Sequence, residues 1–284
     1  MSRTSDFSHL IDLSAYPLDR PRSLPYQRLL EGVQADLEHD GCAVLKGFVR
    51  GAALPDLVAE ADRAAPNAHR SFNRTNVYFS KDDPSLPPDH PARQFYDRSN
   101  AFVPADNFGS DSLLRSIYEW PAFEGFVQAA LGEARFYRYA DPLADVIVNV
   151  VEEGGGFPWH FDTNNYTVTL AIQNGEGGGE FCYAPWMRTA EDENFAGVAD
   201  VLGNRADNVQ TLHLEPGDLQ IFKGRYALHR VAPVRGPRAR YVGIFSFVEE
   251  PGMVATPERC KQLYGRVLPV HYERAGQRLD ELMD

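Results

Sequence analysis

The chain of 284 residues carries 40 acidic and 28 basic side chains, and its formal net charge of −12 argues against a nucleic-acid or membrane partner. Hydrophobic residues make up 43% of the sequence, which is enough for a sizeable core and excludes wholesale disorder. No apolar run approaches the ~20 residues of a spanning helix, the N-terminal segment lacks the apolar core of a secretory signal, and the three cysteines are odd in number and far apart. We therefore expect a soluble, cytoplasmic protein with reduced thiols.

The N-terminal part of the chain shows helical patterns of apolar residues. Helices are predicted over residues 24–40, 52–64 and 110–131. Gly41 ends the first of them, and the apolar run 42–49 that follows is typical of a strand. Pro121 divides the third helical region into two helices.

Residues 66–108 contain many prolines, which predict that the segment has no regular secondary structure. The same segment also holds seven aromatic residues. A long loop with so many aromatic side chains is typical of a folded lid over a functional site, so we expect it to cover a cavity.

After about residue 135 the patterns change to short strands separated by glycine-rich turns. Strands are predicted near residues 135–139, 145–151, 167–173, 179–183, 209–214, 218–222, 227–232 and 240–248. So many short strands indicate a jelly roll or sandwich rather than a parallel α/β sheet.

These elements predict one catalytic domain of the α+β class, mainly β with flanking helices. A helical part with the lid covers about residues 1–134, a β core about 135–250, and a last helix about 256–276. We expect the helices to pack outside the β core.

The sequence Trp159-His160-Phe161-Asp162 is the strongest indication of a functional site. Residues i and i+2 of an extended strand point to the same face, so His160 and Asp162 can converge on one atom. An imidazole and a carboxylate are two of the three ligands in the 2-His-1-carboxylate triad of non-haem iron(II). The pair alone is weak evidence, because His-x-Asp often occurs by chance.

A third ligand has to come from another strand. The downstream candidates are His213, His229 and His271. His229 is favoured because it lies in a strand-like run 69 residues after His160, which leaves room for four intervening strands and an insertion. His213 alternates with Leu212 and Leu214 and fits an ordinary strand histidine, and His271 falls in or near the last helix, where a surface position is expected.

Arg240 opens the next strand, eleven residues after His229. A guanidinium that points into a β core needs an anion, and a carboxylate is its natural partner. The alternatives are a solvated arginine at this position or Arg238 as the anion site. Residues 225–240 hold five arginines, so this segment is positively charged although the whole chain is negative. A local positive charge favours binding of a small dicarboxylate.

The order His-x-Asp, distant His, then Arg resembles the Fe(II)/2-oxoglutarate-dependent dioxygenases over about residues 145–248. The segment 40–48 is similar to the start of such enzymes, and residues 178–181, 214–219 and 229–231 are similar to a bacterial and fungal group of amino-acid hydroxylases and halogenases. The resemblance implies a double-stranded β-helix, with iron(II) held by His160, Asp162 and His229.

The same resemblance implies that 2-oxoglutarate chelates the iron and pairs its distal carboxylate with Arg240, and that O2 is consumed. Asn149, Thr169 and Gln173 are polar positions in core strands and are candidates to bind the cosubstrate, although ordinary hydrogen bonding inside the barrel explains them equally well. Halogenating relatives have a small residue in place of the carboxylate ligand. Asp162 therefore favours hydroxylation, with desaturation or ring closure as alternatives.

The substrate is expected to be a small molecule, a free amino acid or an amino-acid derivative, on the basis of the subgroup resemblance alone. The lid and the segment 185–208 are expected to line its pocket. Candidate substrate contacts are Phe157, Asn164, Asn165, Arg74, Asn76 and Tyr78. Competing interpretations are a non-oxygenase binding module with the same fold and a zinc hydrolase, and the oligomeric state is not readable from the sequence.

Overall fold

The computed structural model describes residues 6–274, apart from the side chain of Asn100. The predicted N-terminal helices are confirmed, and Gly41 ends the first one in a left-handed conformation. No helix of this described range is both long enough and apolar enough to cross a bilayer. The helices are α1 (Leu24–Asp40), α2 (Leu54–Ala64), α3 (Leu113–Glu119), α4 (Pro121–Leu131), α5 (Phe195–Leu202), α6 (Pro257–Tyr264) and α7 (Pro269–Glu273).

The strands build the mainly β core that the sequence predicts. They are β1 (Cys42–Leu45), β2 (His69–Thr75), β3 (Tyr96–Val103), β4 (Tyr137–Arg138), β5 (Val146–Val151), β6 (Phe157–His160), β7 (Thr167–Gln173), β8 (Gly177–Gly178), β9 (Phe181–Ala184), β10 (Gln210–Leu212), β11 (Leu219–Phe222), β12 (Leu228–Val231), β13 (Val234–Arg235), β14 (Arg240–Phe245) and β15 (Phe247–Val248).

Two antiparallel sheets face each other as a double-stranded β-helix. The larger sheet has seven strands in the order β1-β11-β7-β14-β5-β3-β2. The smaller one has four strands in the order β10-β9-β12-β6. The expected jelly-roll class is confirmed.

The larger sheet has an apolar outer face and an inner face with polar positions. Along β5, Val146, Val148 and Val150 join the apolar core that includes α3 and α4, whereas Ile147 and Asn149 point the other way, into a cavity between the sheets. Period-2 alternation thus assigns one face to helix packing and the other to a binding cavity.

The prediction that residues 66–108 lack regular elements is wrong. β2 and β3 form a hairpin-like pair at the edge of the larger sheet, with β3 paired to β5. The prolines fall between the two strands or beside them, where backbone N–H groups are not needed for the ladder. The tip of this insertion, not its whole length, is irregular.

The predicted single C-terminal helix is two short helices, because Gly265 takes a left-handed conformation at the end of α6 (φ 71°). The last two residues of the predicted range lie outside the described residues. The expected surface position of His271 is also wrong, since this side chain is fully buried.

A buried carboxylate anchors these two helices to the barrel. Asp141 is 0% exposed and accepts hydrogen bonds from the backbone N–H groups of Leu143 (2.8 Å) and Ala255 (2.9 Å). It also accepts from His271 Nε2 (3.1 Å), while His271 Nδ1 accepts from the N–H of Leu268 (3.0 Å). Each polar group of the cluster is therefore satisfied by the protein.

Asp141→Ala should lower the free energy of unfolding by about 3 kcal/mol, because it leaves several buried donors without an acceptor. Urea denaturation measures the loss. The matched control is Asp111→Ala at an exposed position, which should change stability by less than about 0.5 kcal/mol. Equal losses in the two variants would contradict the anchoring role.

Candidate active site

The two histidines predicted as metal ligands are direct neighbours across paired strands. His160 ends β6, and His229 lies opposite it in β12 in the antiparallel register. Their ring centroids are 4.2 Å apart. Both side chains are buried, at 7% and 5% exposure. The smaller sheet therefore fixes two imidazoles side by side.

Asp162 completes a cluster that could hold a metal ion. Its Oδ1 atom lies 3.8 Å from His160 Nε2 and 3.4 Å from His229 Nε2. One ligand atom from each of the three residues lies within 4.8 Å of the other two. Two imidazole nitrogens and one carboxylate oxygen are a donor set that suits non-haem iron(II).

Backbone carbonyls fix the orientation of both imidazoles. His160 Nδ1 donates to the carbonyl of Pro158 (2.8 Å), and His229 Nδ1 donates to that of Ala227 (3.0 Å). A proton on Nδ1 leaves the lone pair on Nε2, the atom that faces the carboxylate. Both rings are thus held in the tautomer that binds a metal.

The charge states suit metal binding too. Burial, together with the neighbouring His229 and Arg98, lowers the pKa of His160 well below its ordinary value, which keeps this ring neutral. Burial acts to raise the pKa of Asp162, but the adjacent histidines and a hydrogen bond outweigh it, so the pKa falls below its ordinary value. That hydrogen bond comes from the Thr167 hydroxyl (2.7 Å).

Gly224 makes room for the carboxylate. A Cβ atom at this position would lie 2.0 Å from Asp162 Oδ2, too close for any side chain. The carbonyl of Gly224 also accepts the backbone N–H of Asp162 (3.0 Å). The residue has no motif around it, and only the fold reveals its role.

The cluster opens into a cavity of about 220 Å³ between the two sheets. Arg240, at the start of β14, also lines this cavity and is 7% exposed. Burial lowers its pKa to about 10, so the guanidinium stays charged at neutral pH. Among the described residues, no acidic side chain forms an ion pair with Arg240, which is the arrangement expected of an anion site.

The other candidates for cosubstrate binding divide into two groups. Asn149 and Thr169 line the cavity. Asn149 donates to the carbonyl of Ala101 (3.1 Å), and the Thr169 hydroxyl donates to Gln220 (3.1 Å). Gln173 is not on the cavity wall, and its amide donates to the carbonyl of Ala239 (2.9 Å). The structure therefore gives Gln173 a role in the barrel rather than in the cavity.

Two of the candidate substrate contacts, Phe157 and Asn164, line the cavity. Asn165 does not, and it donates to Glu249 instead. Arg74 is exposed on β2, away from the cavity.

Asn76 and Tyr78 are buried but not on the cavity wall. Tyr78 stacks on Phe161 at 5.6 Å between ring centroids. Asn76 accepts from the backbone N–H groups of Tyr78 (3.0 Å) and Ser80 (3.1 Å) and thereby shapes the turn around Phe79. The residue of this turn that lines the cavity is Phe79, which the sequence analysis did not single out.

Several cavity-lining side chains were not predicted. They are Phe79, Arg98, Gln220, Ser246, Arg259 and Tyr264. Strand parity could have found Gln220, which pairs with Thr169 across β11 and β7. No residue of the segment 185–208 lines the cavity, so the expected contribution of that segment is wrong, and α6 takes its place.

Comparison with known proteins supports the assignment of fold and family. Residues 27–257 match the model of the family described as HalD, Halogenase D. No curated protein sequence is detectably similar to this chain.

Several solved structures share this fold. AviO1 from Streptomyces viridochromogenes is 15% identical, with a TM-score of 0.54, over 80% of this chain and 97% of that one. The α-ketoglutarate-dependent epimerase SnoN of nogalamycin biosynthesis is 13% identical, with a TM-score of 0.52, over 78% and 83%. HygX from Streptomyces hygroscopicus, solved with nickel, 2-oxoglutarate and hygromycin B, is 9% identical, with a TM-score of 0.51, over 78% and 87%.

The predicted resemblance to the Fe(II)/2-oxoglutarate-dependent oxygenases is thus confirmed. The likeness to these solved structures establishes the double-stranded β-helix fold, and the family match covers most of the sequence. On that match, the chain belongs to the Halogenase D family, a group with the fold of the Fe(II)/2-oxoglutarate-dependent oxygenases.

Proposed function

We propose that this protein is an Fe(II)- and 2-oxoglutarate-dependent oxygenase that hydroxylates a C–H bond of a free amino acid or a small amino-acid derivative. One observation carries the proposal: two tautomer-fixed histidines and a carboxylate converge in the same cavity that a buried arginine lines. This combination supplies both a metal site and an anion site within one small space.

His160, Asp162 and His229 would hold the metal through two nitrogens and one oxygen. Arg240 would bind the distal carboxylate of the cosubstrate, which a buried guanidinium favours strongly. Iron(II) at this site would supply the oxidation chemistry: 2-oxoglutarate and O2 would give succinate and CO2, with one oxygen atom of O2 entering succinate and the other entering the substrate C–H bond.

The chain's own residues orient the reactants and exclude water. Phe157, Phe181 and Phe222 form apolar parts of the cavity wall near the histidines. Apolar walls limit the access of water, which reduces unproductive turnover. Thr169 and Gln220 offer neighbouring polar groups on the inner face of the larger sheet.

The identity of residue 162 supports hydroxylation over halogenation. A halide needs a metal position that no protein ligand fills, whereas the Asp162 carboxylate is aligned with both histidines. The Thr167 hydroxyl further fixes this carboxylate. Desaturation and ring closure begin at the same C–H bond and are alternative outcomes of the same site.

An amino-acid substrate is supported by the small volume of the cavity and by the sequence resemblance to amino-acid hydroxylases and halogenases. A volume of about 220 Å³ is below the ~300–1,000 Å³ of sites for drug-sized ligands. Succinate release, screened across the amino acids and their simple derivatives, would identify the substrate. Mass spectrometry of the product, with and without chloride, would separate hydroxylation (a gain of one oxygen) from chlorination and from desaturation.

Asp162→Ala should abolish substrate-dependent succinate release, because the metal loses its anionic ligand. Iron(II) affinity should fall by about 10-fold or more, which equilibrium dialysis under anaerobic conditions can measure. Asp207→Ala, at an exposed position outside the cavity, is the matched control and should keep full activity. Full activity in the Asp162 variant would remove this residue from the metal site.

Arg240→Ala should raise the 2-oxoglutarate concentration needed for half-maximal formation of the metal-to-ligand charge-transfer band by about 30-fold, equivalent to ~2 kcal/mol. The affinity for iron(II) should change little. Arg238→Ala is the matched control, since Arg238 is exposed and does not line the cavity. A larger effect of the Arg238 variant would move the anion site to the neighbouring turn.

A further inference from the structure

One of the three proposed metal ligands, Asp162, lies outside the sheets. β6 ends at His160, and the next strand, β7, begins at Thr167. The backbone from Phe161 to Thr163 is therefore not held by strand pairing. A carboxylate ligand has to point at the metal as reproducibly as the histidines do, so this backbone needs support from another part of the chain.

The segment Gly224-Arg225 supplies that support. The Gly224 carbonyl accepts the backbone N–H of Asp162 (3.0 Å). Arg225 Nη1 donates to the carbonyl of Thr163, also at 3.0 Å. The first bond holds the amide of the ligand residue itself, and the second holds the carbonyl one residue later. Together they fix the backbone on both sides of the Asp162 Cα atom, from which the carboxylate side chain extends.

Arg225 is held in turn by a second buried arginine, Arg188. Each of the two residues is only 1% exposed. Arg188 Nε donates to the carbonyl of Arg225 (2.6 Å), and its Cζ atom lies 4.1 Å from the centroid of the Phe161 ring. Phe161 stands between His160 and Asp162 in the sequence. Arg188 therefore contacts both the residue that holds the ligand backbone and the residue next to the ligand.

The segment 185–208 carries an acidic partner for Arg188. Glu193 Oε2 lies 3.0 Å from Arg188 Nη1, and the Glu193 side chain is 12% exposed. The start of the same segment is joined to the support, because the Met187 N–H donates to the carbonyl of Tyr226 (2.8 Å). The segment does not line the cavity, but it reaches the proposed metal site through Arg188.

A purely structural role of these groups would be to pack the segment 185–208 against the β core. Apolar side chains already do so, since α5 contributes Val198 to the buried cluster that contains Phe161. Two buried guanidinium groups add a desolvation cost to that packing, which apolar residues of similar volume would avoid. The Arg225 donor is also directed at the backbone beside Asp162, which favours positioning of the carboxylate over packing alone.

We infer that Arg225 is a positioning residue for the metal-binding carboxylate of Asp162, and that Arg188 and Glu193 hold Arg225 in place. Arg225 does not line the cavity, so it acts through the backbone rather than by touching metal or substrate. The inference rests on the proposed function for the identity of the metal. The hydrogen-bonded support itself is a property of the chain and can be tested without iron.

Arg225→Met removes the donors and keeps an apolar side chain. We expect it to weaken iron(II) binding by about tenfold or more, because support of a ligand residue typically has an effect of that size. Equilibrium dialysis under anaerobic conditions measures the affinity. Arg225→Lys keeps a charged donor and should recover part of the lost affinity.

The cosubstrate provides a readout that separates positioning from general damage to the site. With iron saturating, the 2-oxoglutarate concentration that gives half-maximal charge-transfer absorbance should stay within about twofold in Arg225→Met. The reason is that Arg240, the proposed anion site, is on another strand and has no contact with this support. A positioning role therefore predicts a loss of iron(II) affinity without a matching loss for 2-oxoglutarate.

The matched control is Arg115→Met. Arg115 on α3 is also partly buried and donates to Asp145 (2.8 Å) and to the carbonyl of Phe108 (2.6 Å), but it does not line the cavity. Its loss should lower the urea midpoint of unfolding and leave the iron(II) affinity within about twofold. Unchanged iron(II) affinity in Arg225→Met, or an equal loss in Arg115→Met, would overturn the inference.

Arg188→Met takes the place of Arg225→Met if that variant does not fold. It removes the donor to the Arg225 carbonyl and the charge above Phe161. Iron(II) binding should weaken by about threefold or more. The same comparison with Arg115→Met then decides.

Amide hydrogen exchange of the metal-free protein tests the support directly. In Arg225→Met the peptide 161–165 should exchange about tenfold faster or more, because its backbone loses a hydrogen bond and opens more often. A peptide that covers β5 should keep its exchange rate. Equal acceleration of both peptides would indicate general destabilisation and would overturn the inference.

These measurements also separate the inference from the proposed function. Failure of the unaltered protein to bind iron(II) would refute the oxygenase function, while the exchange rates would still show whether Arg225 holds the backbone of Asp162. A normal charge-transfer band, with unchanged iron(II) affinity and unchanged exchange in Arg225→Met, would refute the inference and leave the oxygenase function standing.

Discussion

The pairing of β6 with β12 is the constraint on which the site depends. Its register places His160 opposite His229, and each imidazole donates to a backbone carbonyl two residues before it. The sheet thus positions the two nitrogens before any metal arrives, which lowers the entropy cost of binding. Asp162 lies two residues after His160, beyond the end of β6, and is the third member of the triad.

The cavity can exist because the two faces of the larger sheet carry different kinds of side chain. Its outer face supplies apolar residues to a core shared with the N-terminal helices, which stabilises the barrel through burial of apolar surface. Its inner face can then carry costly groups, such as the buried guanidinium of Arg240 and the amide of Asn149. The free energy gained by burying apolar side chains on the outer face offsets the cost of burying these polar groups on the inner face.

The cover of the cavity comes from two remote parts of the chain. The turn after β2 contributes Phe79, and α6 contributes Arg259 and Tyr264. Asp141 holds α6 and α7 to the barrel through backbone and His271 hydrogen bonds. The position of α6, and with it that of Arg259 on the cavity wall, therefore depends on a buried carboxylate outside the cavity.

The sequence by itself determined the strand periods, the helix ends and the convergence of His160 with Asp162, because these follow from the local geometry of the backbone. It also indicated His229 and Arg240, since their spacing resembles that of a known family. Only the tertiary structure decided that Gln173, Arg74 and Tyr78 do not line the cavity and that Arg98 and Arg259 do. These outcomes depend on contacts between parts of the chain that are distant in sequence, such as that of Arg259 with Phe79, and no local pattern of residues encodes them.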